Sequence, residues 1–584
     1  MPPPSASPFT AKRAWWKEST IYQIYPSSFC DSNGDGIGDL PGILSKLDYL
    51  KGLGVDIVWL SPIYKSPWRD GGYDISDYRD IDPRYGTLDD WDMLVKGLHE
   101  RGMKIMMDLV VNHTSDEHEW FRASRSSKSS SKRDWYIWRP ARYDPDGTRR
   151  PPNNWKSIFE GSAWTWDSET QEYYLHLFLP GQPDLNWENP DVREAIFEMM
   201  RFWLDRGTDG FRMDVINLIS KVPGFPDAPI CSPNEEYQLS PIYWANGPRV
   251  HEFVKEMNRK VLSKYECITV GEAPFTDDME VLAAYVLPIN EELNMVFHFE
   301  LMQLDIPPDI NGPPLVPRKW KLTELKDVVE KWQNFMREEG YWNSVYIDNH
   351  DQPRSVSRFG DDSPAWRARS AKMLAILHIT QSGTLFVYQG QEIGMANVPR
   401  SWGIEEYKDV QTQNFWDEAM KPRPQNGDTS DLMDGIQKKA RDNSRTPMQW
   451  NGTANAGFTS GTPWMRVNDD YTEWNLQSQI NDPESVWSFW HEALQFRKEH
   501  DVFIYGNFEI VDASNEKTFA FIRCLGDIAA LIVLNFTDQS CQFTMDDERL
   551  RGARLVLSNY DRRGGPAFDG SVGLQGYEGV VYVM

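Results

Sequence analysis

GFRMDV, residues 210–215, is short and mostly apolar, and it follows a long amphipathic segment. That combination predicts a buried strand ending on a charged pair. Side chains two apart on a strand share a face, so Arg212 and Asp214 are set side by side. A guanidinium beside a carboxylate favours the ionised form. An ionised, oriented Asp at a strand end is what a covalent nucleophile needs. A buried structural ion pair satisfies the same pattern and is the commoner case. The surroundings decide between the two.

Upstream, 20–29 (TIYQIYPSSF), 56–62 (DIVWLSP) and 104–113 (KIMMDLVVNH) read as strands. Between them, 41–54 and 87–102 have helical spacing, the first opened by Pro41, the second by Thr87 and closed by Gly102. Residues 191–207 carry Val192, Ile196 and Trp203 on one helical face. Downstream, 268–273, 295–300, 344–351 and 383–392 add strands, eight in all. Apolar strands alternating with helices predict an α/β fold, a (β/α)8 TIM barrel, whose active site lies at the C-terminal strand ends. Those ends carry His113, Asp214, Glu272, His350 and Asp351.

Two stretches break the rhythm. Residues 114–180 are too long for a loop and are expected to form an inserted subdomain, dividing the barrel into 1–113 and 181–511. Residues 395–450 read as a second, irregular insertion. After residue 512 the pattern turns β-rich, which predicts a C-terminal antiparallel β domain over 512–584.

The 584 residues carry a formal net charge of −26, which argues against a nucleic-acid or anionic-membrane partner. Five scattered cysteines show no metal spacing and no disulfide frame. The first twenty residues lack an apolar targeting core, and no run of about 18 apolar residues suggests a span. A cytoplasmic protein, monomeric or weakly self-associating, is expected.

Three carboxylates, Asp214, Glu272 and Asp351, converge on one cleft if the barrel closes. The Asp beside an Arg should stay ionised, and a Glu at an apolar strand end should hold its proton. That is the division of labour of a retaining glycosidase. His113 and His350 suit neutral donors to sugar hydroxyls.

The blocks DLVVNH, QPDLNW, GFRMDV, VGEAP and DNHDQPR, in this order, resemble the signature regions of the α-amylase superfamily of glycoside hydrolases. The nearest likeness is to its oligo-1,6-glucosidases and α-glucosidases. The resemblance implies that Asp214 is the nucleophile, Glu272 the acid/base and Asp351 the clamp on ring hydroxyls. It implies that Arg212 orients the nucleophile, and that Asp74 pairs with Arg441 to close the pocket. His113, Gln182 and His350 are implied glucose contacts, Phe159 and Phe178 pocket walls. Val215 is an implied linkage determinant, Val accompanying α-1,6 and Thr α-1,4 activity. The expected reaction is release of terminal glucose from short α-1,6-linked oligosaccharides.

In the loop DSNGDGIGD, Asp31, Asn33 and Asp35 alternate, followed by the Ile37 carbonyl and Asp39. An all-oxygen set of this kind suits a hard cation. A metal-free Asp/Gly turn reads the same way. The resemblance favours a structural Ca²⁺ or Mg²⁺ here, and no organic cofactor is expected.

Rivals remain. An α-1,4-preferring maltase or sucrase needs only a different linkage preference. A sucrose isomerase or transglucosylase uses the same carboxylates, but the Arg-Leu-Asp-Arg-Asp run of those isomerases is absent from this sequence. An endo-acting amylase needs an open cleft. A non-enzymatic amylase-like subunit would lack the triad.

Overall fold

The computed structural model describes residues 12–307, 315–335, 339–424, 427–562 and 564–584. Its centre is a sheet of eight parallel strands: β1 (Thr20–Ile24), β2 (Ile57–Leu60), β3 (Lys104–Val110), β4 (Gly210–Asp214), β5 (Ile268–Glu272), β6 (Met295–Phe297), β7 (Ser344–Val345) and β8 (Thr384–Tyr388). Their order is β6-β5-β4-β3-β2-β1-β8-β7. The two ends meet through side chains. Ser344 Oγ donates to the Val296 carbonyl at 2.7 Å, and the Tyr346 hydroxyl to the His298 carbonyl at 2.8 Å. The barrel is thus nearly closed, as the eight apolar runs require, because each is buried on both faces.

The helices cover it for the reasons their sequences give. Helix α1 (Leu88–Glu100) opens on a capping box between Thr87 and Asp90 and buries Trp91, Leu94 and Leu98. Helix α2 (Pro190–Asp205) opens on the Asn189 side chain and buries Ile196, Met200 and Trp203. The helix expected over 41–54 is two, Leu40–Leu44 and Leu47–Leu53, with Ser45 and Lys46 at the break. Gly210 is where strand approach is tightest. A Cβ there would sit 2.2 Å from the Ile268 carbonyl of β5.

The stretch 114–180 contains a three-stranded antiparallel sheet of Trp138–Arg139, Trp164–Asp167 and Glu172–Leu175. The expectation that 395–450 is irregular does not hold. It folds into α3 (Val410–Met420) and α4 (Ser430–Lys439), which bury Phe415, Leu432 and Ile436 in a small cluster with Leu315 and Met465. The C-terminal antiparallel sheet begins before residue 512, with β9 (Asn507–Ile510), and continues through β10 (Thr518–Leu525), β11 (Ile528–Asn535), β12 (Arg554–Ser558) and β13 (Gly579–Val583). The five cysteines are free thiols. No helix among the described residues is long and apolar enough to cross a membrane.

Candidate active site

A cavity of about 270 Å³ opens at the C-terminal ends of the strands. Asp70, Tyr73, His113, Phe159, Phe178, Asp214, Val215, Glu272, Asp351 and Arg441 all line it. The strand-end carboxylates therefore converge as the barrel reading requires. A larger groove of about 870 Å³ lies beside Thr269 and Asn294, at the start of β5 and β6, where this fold keeps no chemistry.

Arg212 is the hub. It is buried, and Nη1 donates to Asp214 Oδ1 at 2.7 Å and to Asp108 Oδ1 at 2.8 Å. Nη2 stands 2.7 Å from Glu272 Oε2. The i, i+2 placement on β4 holds, but the guanidinium is not private to Asp214. One cation serves three buried carboxylates. Burial therefore raises the Asp214 carboxyl to about 7 against the pull of Arg212, with the charges of Asp108 and Asp351 adding to the rise. The expectation that the neighbouring Arg keeps Asp214 ionised at neutral pH holds only in part, because one guanidinium cannot offset so much desolvation. Glu272 goes higher still, to about 8, by burial first, with Asp214 and Asp351 adding and Arg212 opposing. The order of the two is the expected one.

Asp351 behaves oppositely. Burial alone would raise it, but the His350 ring and the guanidiniums of Arg441 and Arg445 outweigh burial and hold it well below the usual carboxylate range. Arg445 Nη2 donates to Asp351 Oδ1 at 2.6 Å and Arg441 Nη1 to the same oxygen at 3.2 Å. Arg441 and Arg445 are four apart on a short helical turn and so present the same face.

Arg441 is bonded to Asp70, not to the expected Asp74. Arg441 Nη2 donates to Asp70 Oδ1 at 3.1 Å, and its Nε to Asp409 at 2.8 Å. Asp74 is fully buried and accepts from the Ser66 hydroxyl and the amides of Arg69 and Asp70. It braces the turn that carries Asp70. Gly71 and Gly72 take positive φ (59° and 104°) and let the chain reverse between the two aspartates. Sequence spacing offered two aspartates in DGGYD. Only the turn decides which one is consumed by backbone amides.

Phe159 and Phe178 are walls, their rings 5.5 Å apart, and the Arg441 guanidinium lies 5.2 Å above Phe159. His113 also lines the cavity. Its Nε2 donates to the Tyr73 carbonyl at 3.1 Å, and burial lowers the ring to about 4, so it is neutral. His350 and Gln182 sit one layer back. His350 is fully buried, its Nε2 2.6 Å from the Tyr73 hydroxyl and 3.3 Å from Asp351 Oδ2. Gln182 Nε2 donates to Asp70 Oδ2 at 3.0 Å. Both brace groups that face the cavity.

Val215 lies just past the strand. Strand β4 ends at Asp214, and Val215 takes φ 35°, ψ 43°, a left-handed conformation strained for a β-branched residue. Its side chain lines the cavity, and its amide donates to Glu272 Oε2 at 3.2 Å. Tyr73, Asp70, Asp108, Asp409 and Arg445 were not singled out from sequence. Among them only Arg445, four after Arg441, has a spacing signal.

In the DSNGDGIGD loop, Asp31 Oδ1 accepts from the Asn33 amide at 2.9 Å, Asn33 Oδ1 from Asp35 at 2.8 Å and Asp35 Oδ1 from Ile37 at 2.8 Å. Asp39 caps the following helix through Gly42. Burial raises the Asp39 carboxyl, with Asp31 adding, against the bonds it accepts from Ser32 and Gly42. Among the described residues, no three His, Cys, Asp or Glu side chains form a metal cluster. Asn33 and the Ile37 carbonyl lie outside that set.

The Alpha-amylase family (Alpha amylase, catalytic domain) matches residues 23–506. An α-glucosidase of Schizosaccharomyces pombe is 52% identical over 552 residues, 94% of this chain and 95% of that protein. An oligo-1,6-glucosidase of Parageobacillus thermoglucosidasius is equally similar, 52% identical over 94% of this chain and 95% of its own. The crystal structure of isomaltulose synthase from Erwinia rhapontici superposes with a TM-score of 0.91 at 40% identity, covering 98% of this chain and 99% of that one.

Proposed function

The chain belongs to the α-amylase family of glycoside hydrolases, and on that premise we propose that it is a retaining exo-α-glucosidase releasing terminal glucose from short α-1,6-linked oligosaccharides such as isomaltose. One observation carries the reading. A single guanidinium, Arg212, is bonded to Asp214 and Glu272 together, in a cavity where Asp70 and Arg441 are bonded to each other. Two carboxyls tied to one guanidinium stand close together, as double displacement requires. We take that Asp70–Arg441 bridge as the cavity's closed end, which admits a chain terminus and excludes a chain interior.

In this reading Asp214 attacks the anomeric carbon and Glu272 protonates the departing oxygen. A covalent glucosyl-enzyme forms, and Glu272, now ionised, activates the water that releases glucose. Arg212 opposes the rise that burial imposes on Asp214 and orients its carboxylate for attack. Asp351, held ionised by Arg441 and Arg445, stabilises the oxocarbenium-like charge and grips ring hydroxyls. Phe159 and Phe178 cover the sugar faces, and His113 donates to a hydroxyl.

The α-1,6 preference rests on Val215, which borders the reacting centre with an apolar surface. Val and Thr are both β-branched and meet the same left-handed strain, so exchanging them tests the side chain alone. Val215→Thr is expected to raise maltose over isomaltose cleavage roughly fivefold, the worth of about one hydrogen bond. Product analysis on isomaltose, maltose, sucrose and trehalose measures it. Maltose as the preferred substrate of the unaltered protein overturns the α-1,6 assignment. Isomaltulose from sucrose as the main product favours the isomerase reading, for which the 40%-identical synthase is the precedent.

We propose a structural cation on the Asp31, Asn33, Asp35, Ile37 and Asp39 oxygens, because an all-oxygen set is what a hard cation takes. Bound there it would be a hard, redox-inert ion that neutralises the loop's charge and takes no part in catalysis. Chelation is expected to lower the melting temperature, and Asp35→Ala to lower it without chelator. No metal by elemental analysis and identical melting curves would leave the loop a plain turn. A cytoplasmic location and a monomeric or weakly associating state complete the proposal.

A further inference from the structure

One buried cation lining the cavity has no part in the chemistry above. Lys439 ends α4, two residues before Arg441, and is 7% exposed. Its Nζ donates to Asp305 Oδ1 at 2.7 Å. Asp305 is also held by Arg358, whose Nε donates to Oδ2 at 3.0 Å. Two cations thus share one carboxylate. Burial first, and Arg358 next, push the Lys439 ammonium down to about 7, the mark of a cation kept buried at a cost.

Arg358 reaches further. Nη1 donates to Oε1 of Gln352 at 2.9 Å, and Nη2 to the Met302 carbonyl at 2.6 Å. Gln352 directly follows Asp351 and also lines the cavity. With its carbonyl oxygen turned to Arg358, its amide N–H groups are what it has left for a ligand.

The cavity therefore has two different ends. The closed end draws Asp70 and Tyr73 from the loop after β2, His113 from the end of β3, and Phe159 and Phe178 from the insertion. The other end draws Phe275, Phe299, Met302 and Gln352 from the segments after β5, β6 and β7. A glucose seated against the closed end puts its anomeric carbon at Asp214 and Glu272. The departing sugar then lies against Lys439 and Gln352.

We propose that Lys439 and Gln352, fixed by Asp305 and Arg358, form the recognition site for the departing sugar, offering N–H donors to the hydroxyl oxygens of a saccharide leaving group. This rests on the exo-α-glucosidase reading. The rest of that end is aromatic or thioether surface, which packs on a sugar face but does not tell a sugar from an aryl group. Discrimination falls to the two donors.

The test compares kcat/KM for isomaltose with that for 4-nitrophenyl α-glucoside, whose leaving group carries no sugar hydroxyls. Lys439→Met is expected to lower the isomaltose-to-aryl ratio about tenfold, mainly through a higher KM for isomaltose. Lys439→Arg, which keeps the donors, should recover much of the ratio. Gln352→Leu should move it in the same direction and carries the test if Lys439→Met melts early. An unchanged ratio in folded Lys439→Met and Gln352→Leu proteins, or a parallel loss on both substrates, overturns the proposal. An unaltered protein that releases glucose from neither substrate overturns the exo-glucosidase reading instead.

Discussion

Asp214→Asn protein is expected to release glucose from isomaltose at least about 10⁴-fold more slowly than the unaltered enzyme, without loss of fold. The amide cannot attack, and no other carboxylate lies on β4 to replace it. In the proposed mechanism Glu272 serves the leaving oxygen, and Asp351 is pinned by Arg441 and Arg445. Stability should move the other way. Asp214 has a folded pKa raised to about 7, above its unfolded value. Its protonated form is therefore favoured by folding, and that contribution is lost as pH rises through about 7. The neutral amide escapes the loss, so the melting temperature of Asp214→Asn at pH 8 should equal or exceed that of the unaltered protein. Substantial turnover, or a lower melting temperature at pH 8, counts against the assignment. Strained, crowded active sites commonly behave in this way.

Glu272→Gln should cost about 10²- to 10⁴-fold on isomaltose and far less on an aryl glucoside, whose leaving group needs little protonation. The pH profile gives an independent check. Catalysis needs Asp214 ionised and Glu272 protonated at the same time. Activity should fall below about 7 as Asp214 takes its proton, and above about 8 as Glu272 loses its own. A bell centred between those values follows, with limbs belonging to the coupled pair. For the first, glucosyl-forming step on an aryl substrate, Glu272→Gln should erase the alkaline limb and keep the acid one. Persistence of the alkaline limb would assign it to another group.

The barrel was legible because its signal is repeated. Eight apolar runs, each buried on both faces, leave little choice of class, and every one of them supplies a barrel strand. The 395–450 stretch was misread. Its two helices bury Phe415, Leu432 and Ile436 in a cluster shared with Leu315 and Met465, and those distant partners leave no mark on the local pattern. The break at Ser45 and Lys46 was hidden inside a run whose apolar spacing continues across it.

The candidate site divides along the same line. The carboxylates at the ends of β4 and β5, and Asp351 after β7, were readable from sequence, because strand register fixes where such side chains emerge. The sequence by itself determined the fold class and the identity of those three groups. Only the tertiary structure decided which aspartate of DGGYD meets Arg441, that Arg212 is shared by three carboxylates, and that Lys439 and Asp409 join the cavity's charge network. Those choices depend on turns, on burial and on contacts between segments hundreds of residues apart, such as Asp70 with Arg441. A local pattern records where a side chain leaves its own strand or helix. It does not record which backbone amides compete for it or which distant charges desolvate with it.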